Sequence, residues 1–513
     1  MSIPFHALIV RKTKNDAYTV VKRIDWADIG DFTAEVYLGF VYWSMLTSLG
    51  VSIWYFPLWH MGISGFEAVL FADISPFLLG IPAIRQFVAA QSPYFHFASL
   101  LGVIAYVIRD PTLRLLTVGL GLGISNLTWA AQFYNAATTN PSRFQRFAIV
   151  FVLGLIASSV AKMANWANNP IWPIMKSDNG GWNKTGILLG IVACIRLAQR
   201  NIPSVNTISS LPSSSKGKSD WILFPALGLS GILFGLHTLL CDSGTLILWV
   251  WDGFPVKGPL VIPHGAVTIA AMGLGLLASG HTSLVQNWAT FAAASLSAIC
   301  LYSFAGWWGY IGGLVLGVYL TAITPAILQA VSSSSKPGRV FGVAWFVYDF
   351  MVLAHVWVVA YAFVPGGPLL RERTDLLLMA MMGCIAVGVF HLQQTSNSSK
   401  DSERTHTNLF TQRSKSYTRF AVALFSIISC VIAFVRFPTL DYTPYHPEAK
   451  LFTAGIWTVH FGIDNEMWAS EIRMRDAIRD VELDVVGTFI SFSFNIQAFL
   501  NPIYNVSLVD LEI

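Results

Sequence analysis

The stretch Gly455-Ile456-Trp457-Thr458-Val459-His460-Phe461-Gly462-Ile463-Asp464-Asn465 leads through a charged segment to Leu483-Asp484-Val485-Val486-Gly487 and divides the chain into two kinds of protein. Trp457, Val459 and Phe461 alternate with Ile456, Thr458 and His460, the period of two that a strand requires. Asp464 or Asn465 is placed to cap a following helix. In that helix Met467, Met474, Ile478 and Val481 share a face, with Glu471 and Arg475 as an i,i+4 ion pair outside. Leu483 to Val486 reads as a second strand, parallel to the first through a right-handed crossover. This is the opening of an α/β domain. Everything before it reads as membrane.

Of the 513 residues, 54% are hydrophobic and 12% charged, about half the charge of a soluble domain. The mean hydropathy is +0.57. The five cysteines form no CxxC or metal-ligand spacing, which argues against a disulfide framework or a zinc site. Apolar windows long enough for a hydrocarbon core of about 30 Å predict about thirteen spans. They lie near 36–57, 66–84, 95–108, 113–131, 146–164, 185–198, 221–241, 263–279, 289–305, 308–330, 340–364, 374–391 and 419–438. An odd count puts Arg11 to Arg23, Arg143, Arg146, Arg196, Arg200, Lys336, Arg339 and Lys400 to Lys415 on one side, the cytosol. Arg371 and Arg373, beside Glu372, fall on the other. Segments 201–220 and 393–418 are polar and read as tethers. The sequon at Asn183 falls on the lumenal side and the one at Asn397 on the cytosolic side. The fold expected is an all-α polytopic membrane bundle followed by an incomplete α/β fragment.

Ionisable residues in apolar runs are expensive unless paired or hydrated. Glu67, Asp73, His237, Asp349 and His355 are the intramembrane candidates for a headgroup or proton-pathway role, with satisfaction by a neighbouring helix as the plain alternative. Glu67 and Asp73, six residues apart on a helix, point in different directions. On the lumenal side, His60 and the proline-stiffened loop 241–264, with Asp242, Asp252, Lys257 and His264, are candidate lipid contacts. Their tryptophan neighbours are equally explained by ordinary interfacial anchoring. The Gly309/Gly313/Gly317 and Gly119/Gly123 spacings predict close helix packing, within one bundle rather than between two.

Trp457-Thr458-Val459-His460-Phe461-Gly462-Ile463-Asp464-Asn465, with Met467-Trp468-Ala469-Ser470-Glu471 and Arg475-Asp476, resembles the start of the C-terminal domain of the fungal calcofluor-white-hypersensitivity family. Trp54 to Gly62 and the Gly258-Pro259…Pro263-His264-Gly265 segment are similar to its membrane region. The resemblance implies cell-wall biogenesis and remodelling of GPI-anchor lipid in the endoplasmic reticulum, exchanging a diacylglycerol-type lipid for ceramide. It implies GPI-anchored proteins, membrane lipids and a membrane remodelling factor as partners, and no nucleic acid. The family's C-terminal domain has the endonuclease/exonuclease/phosphatase fold, whose second strand delivers a metal-binding acid. Here Gly487 is followed by Thr488. His460, Asp464 and Asn465 are therefore expected to be a motif remnant without catalytic partners. No catalytic residue, metal or cofactor is assigned, a divalent metal being expected only in a full-length member.

The expected organisation is a cytosolic segment 1–35, a membrane domain 36–438, a truncated lumenal domain 439–487 and an aberrant apolar tail 488–513, without the further membrane domain that full-length members carry ahead of it. The N-terminus is expected in the cytosol and the C-terminus in the lumen. The leading reading is a lipid-binding or scaffold module. A proton-coupled transporter, using Asp349, His237 and His355, is a second class. A lipid-linked glycosyl- or acyltransferase, using Asp242 or His264 as base, is a third.

Overall fold

A computed structural model describes residues 25–55, 65–200, 222–253, 257–358, 366–399, 412–437, 443–458, 462–464 and 466–489. His60, His460, Asn465 and the tail beyond 489 lie outside the described residues, as does the 201–220 tether.

A first group of helices comprises α1 (Trp26–Tyr55), α2 (Phe66–Asp73), α3 (Pro82–Ala90), α4 (Ser92–Ser99), α5 (Pro111–Thr139), α6 (Pro141–Ala164) and α7 (Asn183–Ala198). A second comprises α8 (Leu223–Leu240), α9 (Val261–Ala278), α10 (Trp288–Ser303), α11 (Gly306–Ser332), α12 (Pro337–Trp357) and α13 (Thr374–Ser399). Helix α14 (Gln412–Val435) packs against α9 and α6 and so bridges the two groups. Local chemistry sets several boundaries. Asp110 and Asn140 cap α5 and α6 through Leu113 N (2.8 Å) and Arg143 N (3.2 Å), each just before a proline at the first helical position.

Among the described residues, seven helices are long and apolar enough to cross a membrane, or eight if one bent pair counts as a span. That pair corrects the reading of 66–84 as a continuous span. Helix α2 stops at Asp73, a 3₁₀ turn runs over Ser75–Gly80, and α3 leaves at 105°. Pro76 and Pro82 lack the N–H that a continuing helix would use. The segments near 36–57, 113–131 and 185–198 are helical too; the last is only 16 residues long, Asn183–Ala198, and that near 113–131 carries buried polar side chains. Helix α5 is the hub of its group, and Arg114, Ser125, Asn126 and Gln132 are buried against protein rather than lipid.

The glycine spacings serve internal packing. Gly119 and Gly123 face Ala68 and Ala72 of α2, and Gly313 and Gly317 face Leu246 and Leu240. One tight crossing is not flagged by the spacing: a Cβ added to Gly154 of α6 would land on the Gly39 and Phe40 backbone of α1.

Charge organises the N-terminal end of the bundle. Asp28, Asp31 and Glu35 on α1 meet Arg146 of α6, Arg196 of α7 and Arg200 just beyond it. Arg200 bridges Asp31 at 2.9 Å and Glu35 at 2.8 Å; Arg196 pairs with Asp31 at 2.7 Å, and Arg146 pairs with Asp28 and Glu35. Basic residues assigned to one side by charge counting thus converge at one end, held by acids of the N-terminal helix. Arg371 and Arg373, the exceptions, are locally neutralised by Glu372 (3.3 Å) and Asp375 (2.8 Å). The Asn183 sequon is buried, its amide donating to Trp172 O (3.2 Å) and Met175 O (2.8 Å), so the folded chain does not present it to a glycosylating enzyme.

The C-terminal segment forms β1 (Ala454–Thr458), α15 (Glu471–Asp480) and β2 (Val485–Phe489); the strands are parallel as the crossover argument predicts, with Ala454 paired with Val485, but β1 starts before the expected Ile456 and β2 runs past the expected end at Val486. Asp484 is fully buried and ties the sheet to the preceding chain, accepting from Tyr445 N (2.8 Å), Thr453 N (2.6 Å) and the Thr453 hydroxyl (2.9 Å). A fragment this small cannot bury its own core. It borrows one: Ile463, Met467 and Ala469 join the hydrophobic core of the membrane bundle.

Candidate functional site

Two polar regions stand out against the apolar bundle, and both involve the first helix group. One is where the C-terminal segment docks. Residues 462–464 and 466–470 precede α15 and are held by Asp464, whose Oδ1 accepts from Glu466 N (3.0 Å) and Trp468 N (2.9 Å) and whose Oδ2 pairs with Arg473 (2.6 Å). Burial would push its carboxyl up, but these donors together hold it below the ordinary range. Asp464 therefore does not cap the helix. Ser470 occupies the N-cap position, and α15 begins at Glu471.

Glu471 also departs from its i,i+4 spacing, which predicts an outer-face pair with Arg475. It is instead buried against the loop 165–182, accepting from Asn179 Nδ2 (2.8 Å) and Asn168 Nδ2 (3.2 Å), while Asn179 Oδ1 accepts from Ile472 N (3.0 Å). Arg475 pairs with Asp476. Burial raises the Glu471 carboxyl above its ordinary value, and the two amides pull the other way. Val481, expected on the apolar face, is exposed.

The loop is clamped from the other side by cations. Trp468 is buried between the Arg114 guanidinium, 3.7 Å from its ring centre, and the Lys176 ammonium, at 4.4 Å. Arg114 also donates to Glu466 O (3.0 Å) and Met467 O (2.9 Å). The start of α5, the 165–182 loop and the C-terminal segment thus form one polar face.

The second region is the junction between the two helix groups. Asp73, at the break after α2, is fully buried; its Oδ1 accepts from Asn126 Nδ2 of α5 (2.8 Å), and Asn126 Oδ1 accepts from Trp345 Nε1 of α12 (2.9 Å). Tyr348 and His237 hydrogen-bond at 2.7 Å, joining α12 to α8. Lys162, buried at the end of α6, donates to Cys241 O at 3.0 Å and lies 5.0 Å from the Trp172 ring. Asp242 follows directly. Its Oδ1 accepts from Gly244 N (2.7 Å), and burial pushes its carboxyl up while Lys162 opposes.

The structure brings some sequence candidates together and separates others. Asp73 is tied to the junction through Asn126 and Trp345, His237 bonds Tyr348 within the second group, and Asp349 is half-buried on α12. His355 stacks on Trp249 with ring centres 6.1 Å apart. Glu67 is exposed on α2, pointing away from Asp73 as helix geometry requires. The loop 241–264 does not converge on one cradle: Asp242 turns towards Lys162, Asp252 and Lys257 are exposed, and His264 Nδ1 bonds the Leu260 backbone N (2.9 Å) with its ring edge-on to Trp307 (4.8 Å). Tyr42, Asn126, Lys162, Asn168, Asn179 and Arg114 were not singled out. Asn126 and Lys162 carried a signal, as polar residues in or beside apolar runs. The others gain their roles only through contacts distant in sequence.

The metal that the nuclease-like fold implies has no fit in the described donor set. Asp464 is committed to Arg473 and two backbone N–H groups, Asp484 to Thr453 and Tyr445, and Glu471 to two asparagines.

Comparison with known proteins matches this layout. Residues 40–196 match the first transmembrane domain of PGAP2IP, 217–399 its second transmembrane domain, and 449–496 its C-terminal nuclease-like domain. The first two matches coincide with the two helix groups, and the third runs on past Gly487. The chain is 42% identical over 472 residues to protein cwh43 of Schizosaccharomyces pombe, which covers 89% of this chain and 47% of that protein. It thus spans about half the length of the curated relative it matches. With all three PGAP2IP domains matched in order and this identity to cwh43, the chain belongs to the PGAP2IP/cwh43 family of multi-pass membrane proteins.

Proposed function

We propose that this chain acts in GPI-anchor lipid remodelling, the exchange of a diacylglycerol-type lipid for ceramide that supports cell-wall integrity, as a lipid-binding and scaffold module of the endoplasmic-reticulum membrane. The N-terminus faces the cytosol and the C-terminal segment the lumen, where GPI-anchored proteins and a membrane remodelling factor would be its partners. The observation that carries the reading is the docking of the nuclease-like segment onto the first membrane domain through Glu471, Asn168, Asn179, Arg114 and Trp468. That contact holds a soluble α/β segment at the membrane surface, where a lipid headgroup lies. The sidedness agrees with it: the docking loop, the 165–182 loop and the start of α5 share one end, and the arginine–acid cluster of α1, α6 and α7 is built from the residues assigned to the other.

Lipid analysis of GPI-anchored proteins from cells deleted for this chain tests the reading. Loss of ceramide-type anchors, restored by re-expression, is expected. Unchanged ceramide content sinks it.

A further inference from the structure

Lys162 follows Arg146 by sixteen residues on α6, about 24 Å along the helix axis. Arg146 belongs to the arginine–acid cluster at one end of the bundle. Across a hydrocarbon core of about 30 Å, Lys162 therefore reaches the headgroup level of the opposite leaflet. It is 2% exposed. Its ammonium lies 5.0 Å from the ring centre of Trp172, which belongs to the loop 165–182 that receives Glu471. The position is thus directly under the docked nuclease-like segment.

Two opposite charges meet here without neutralising each other. The Ser159 hydroxyl donates to Leu240 O at 2.9 Å and Lys162 Nζ to Cys241 O at 3.0 Å, which secures the end of α8. That capping uses one of the three ammonium N–H donors. The planar peptide sets the Cys241 carbonyl oxygen about 3 Å from the Asp242 Cα, so the ammonium lies within about 6 Å of that Cα. The Asp242 carboxylate nevertheless turns back on its own loop. Its Oδ1 accepts from Gly244 N at 2.7 Å, and its Oδ2 is buried with no hydrogen-bond partner among the described residues. A buried cation and a buried anion this close, bonded to backbone and not to each other, are costly until a group carrying both charges bridges them.

We propose that Lys162 and Asp242 bind a phosphoethanolamine headgroup, with its phosphate on the Lys162 ammonium and its primary ammonium on Asp242 Oδ2. Opposite protein charges select a zwitterion, because a purely anionic headgroup would answer Lys162 and be repelled by Asp242. The orphaned Oδ2 selects a primary amine, because a choline trimethylammonium has no N–H to give it. The inference shares with the remodelling reading only that the membrane domain binds lipid. Its test reads no ceramide content, so either can fail without the other.

The test is equilibrium binding of dihexanoyl phosphatidylethanolamine, phosphatidylcholine and phosphatidylglycerol to the purified full chain in detergent, read by displacement of radiolabelled dihexanoyl phosphatidylethanolamine. The ethanolamine lipid is expected to bind at least about tenfold more tightly than the other two. Asp242→Asn, whose side-chain oxygen can still accept from Gly244 N, should erase that preference. Lys162→Gln, which keeps an N–H donor near Cys241 O, should weaken binding of all three about tenfold. Displacement by glycerophosphoethanolamine would support recognition of the headgroup alone, and binding confined to the lipid would support the same site with the chains contributing. Equal wild-type affinities for the ethanolamine and choline lipids overturn the proposal. So does an undiminished ethanolamine preference in Asp242→Asn, the variant that decides if Lys162→Gln does not fold.

Discussion

Glu471→Ala should release the C-terminal segment from the membrane bundle while leaving both otherwise folded. The substitution removes the acceptor of two buried asparagine amides and leaves those donors unsatisfied, a loss of about 2–4 kcal/mol of docking free energy. Protection factors from hydrogen exchange over 466–489 should fall by about 30-fold or more. Glu471→Gln should behave differently, because a glutamine Oε1 can still accept from Asn179 or Asn168. The sign of the pH effect follows from the raised carboxyl. The docked state holds the proton more tightly than the detached state, so the contribution is greatest below the ordinary value of 4.5 and declines as pH rises through the raised value. Docking of the wild type should therefore weaken as pH rises, and Glu471→Gln should flatten that dependence. Equal protection in wild type and Glu471→Ala would mean that the apolar contacts of Ile463, Met467 and Ala469 suffice alone.

Gly154→Val should be more damaging still. The added branched side chain meets the Gly39 and Phe40 backbone rather than a movable side chain, so α1 and α6 must separate. Overpacking at such a crossing costs on the order of 3 kcal/mol or more. The strain falls on helices that also share Trp43, whose Nε1 donates to Phe151 O at 2.8 Å, and the Glu35–Arg146 pair. We expect aggregation or loss of the monodisperse peak in detergent. A matched Gly50→Ala, where an added Cβ meets nothing within 4 Å, should be tolerated apart from its helix propensity. Equal behaviour of the two variants would contradict the packing described.

What was legible in the sequence follows the range of the forces involved. Apolar length located the helices, because burial in lipid is read residue by residue. Period-two alternation located β1, and the parallel pairing with β2 followed from chirality. The family was legible in Trp457 to Asn465 because that run is dense in unusual residue types. The bend after Asp73 was less legible, since composition alone reads 66–84 as uniformly apolar, although Pro76 and Pro82 mark the break. Glu471 misled because a charged residue spaced four from an arginine has an obvious surface partner. Only the distant Asn168 and Asn179 reveal that it is buried. Asn183 misled likewise, since a sequon is a local pattern and its burial is not. The loop 241–264 looked like one site because its polar residues are close in sequence, yet its backbone sends Asp242 and His264 to different neighbours.

The proposed role in lipid remodelling depends on the first membrane domain holding the nuclease-like segment in place. Its most direct measurement is the ceramide content of GPI-anchored proteins in cells whose only copy of this chain carries Glu471→Gln or Glu471→Ala, with expression matched and docking read from limited proteolysis of the segment. The account predicts wild-type ceramide content with glutamine and a loss approaching the deletion with alanine. Full ceramide content in the alanine variant, with the segment shown to be detached, would contradict it.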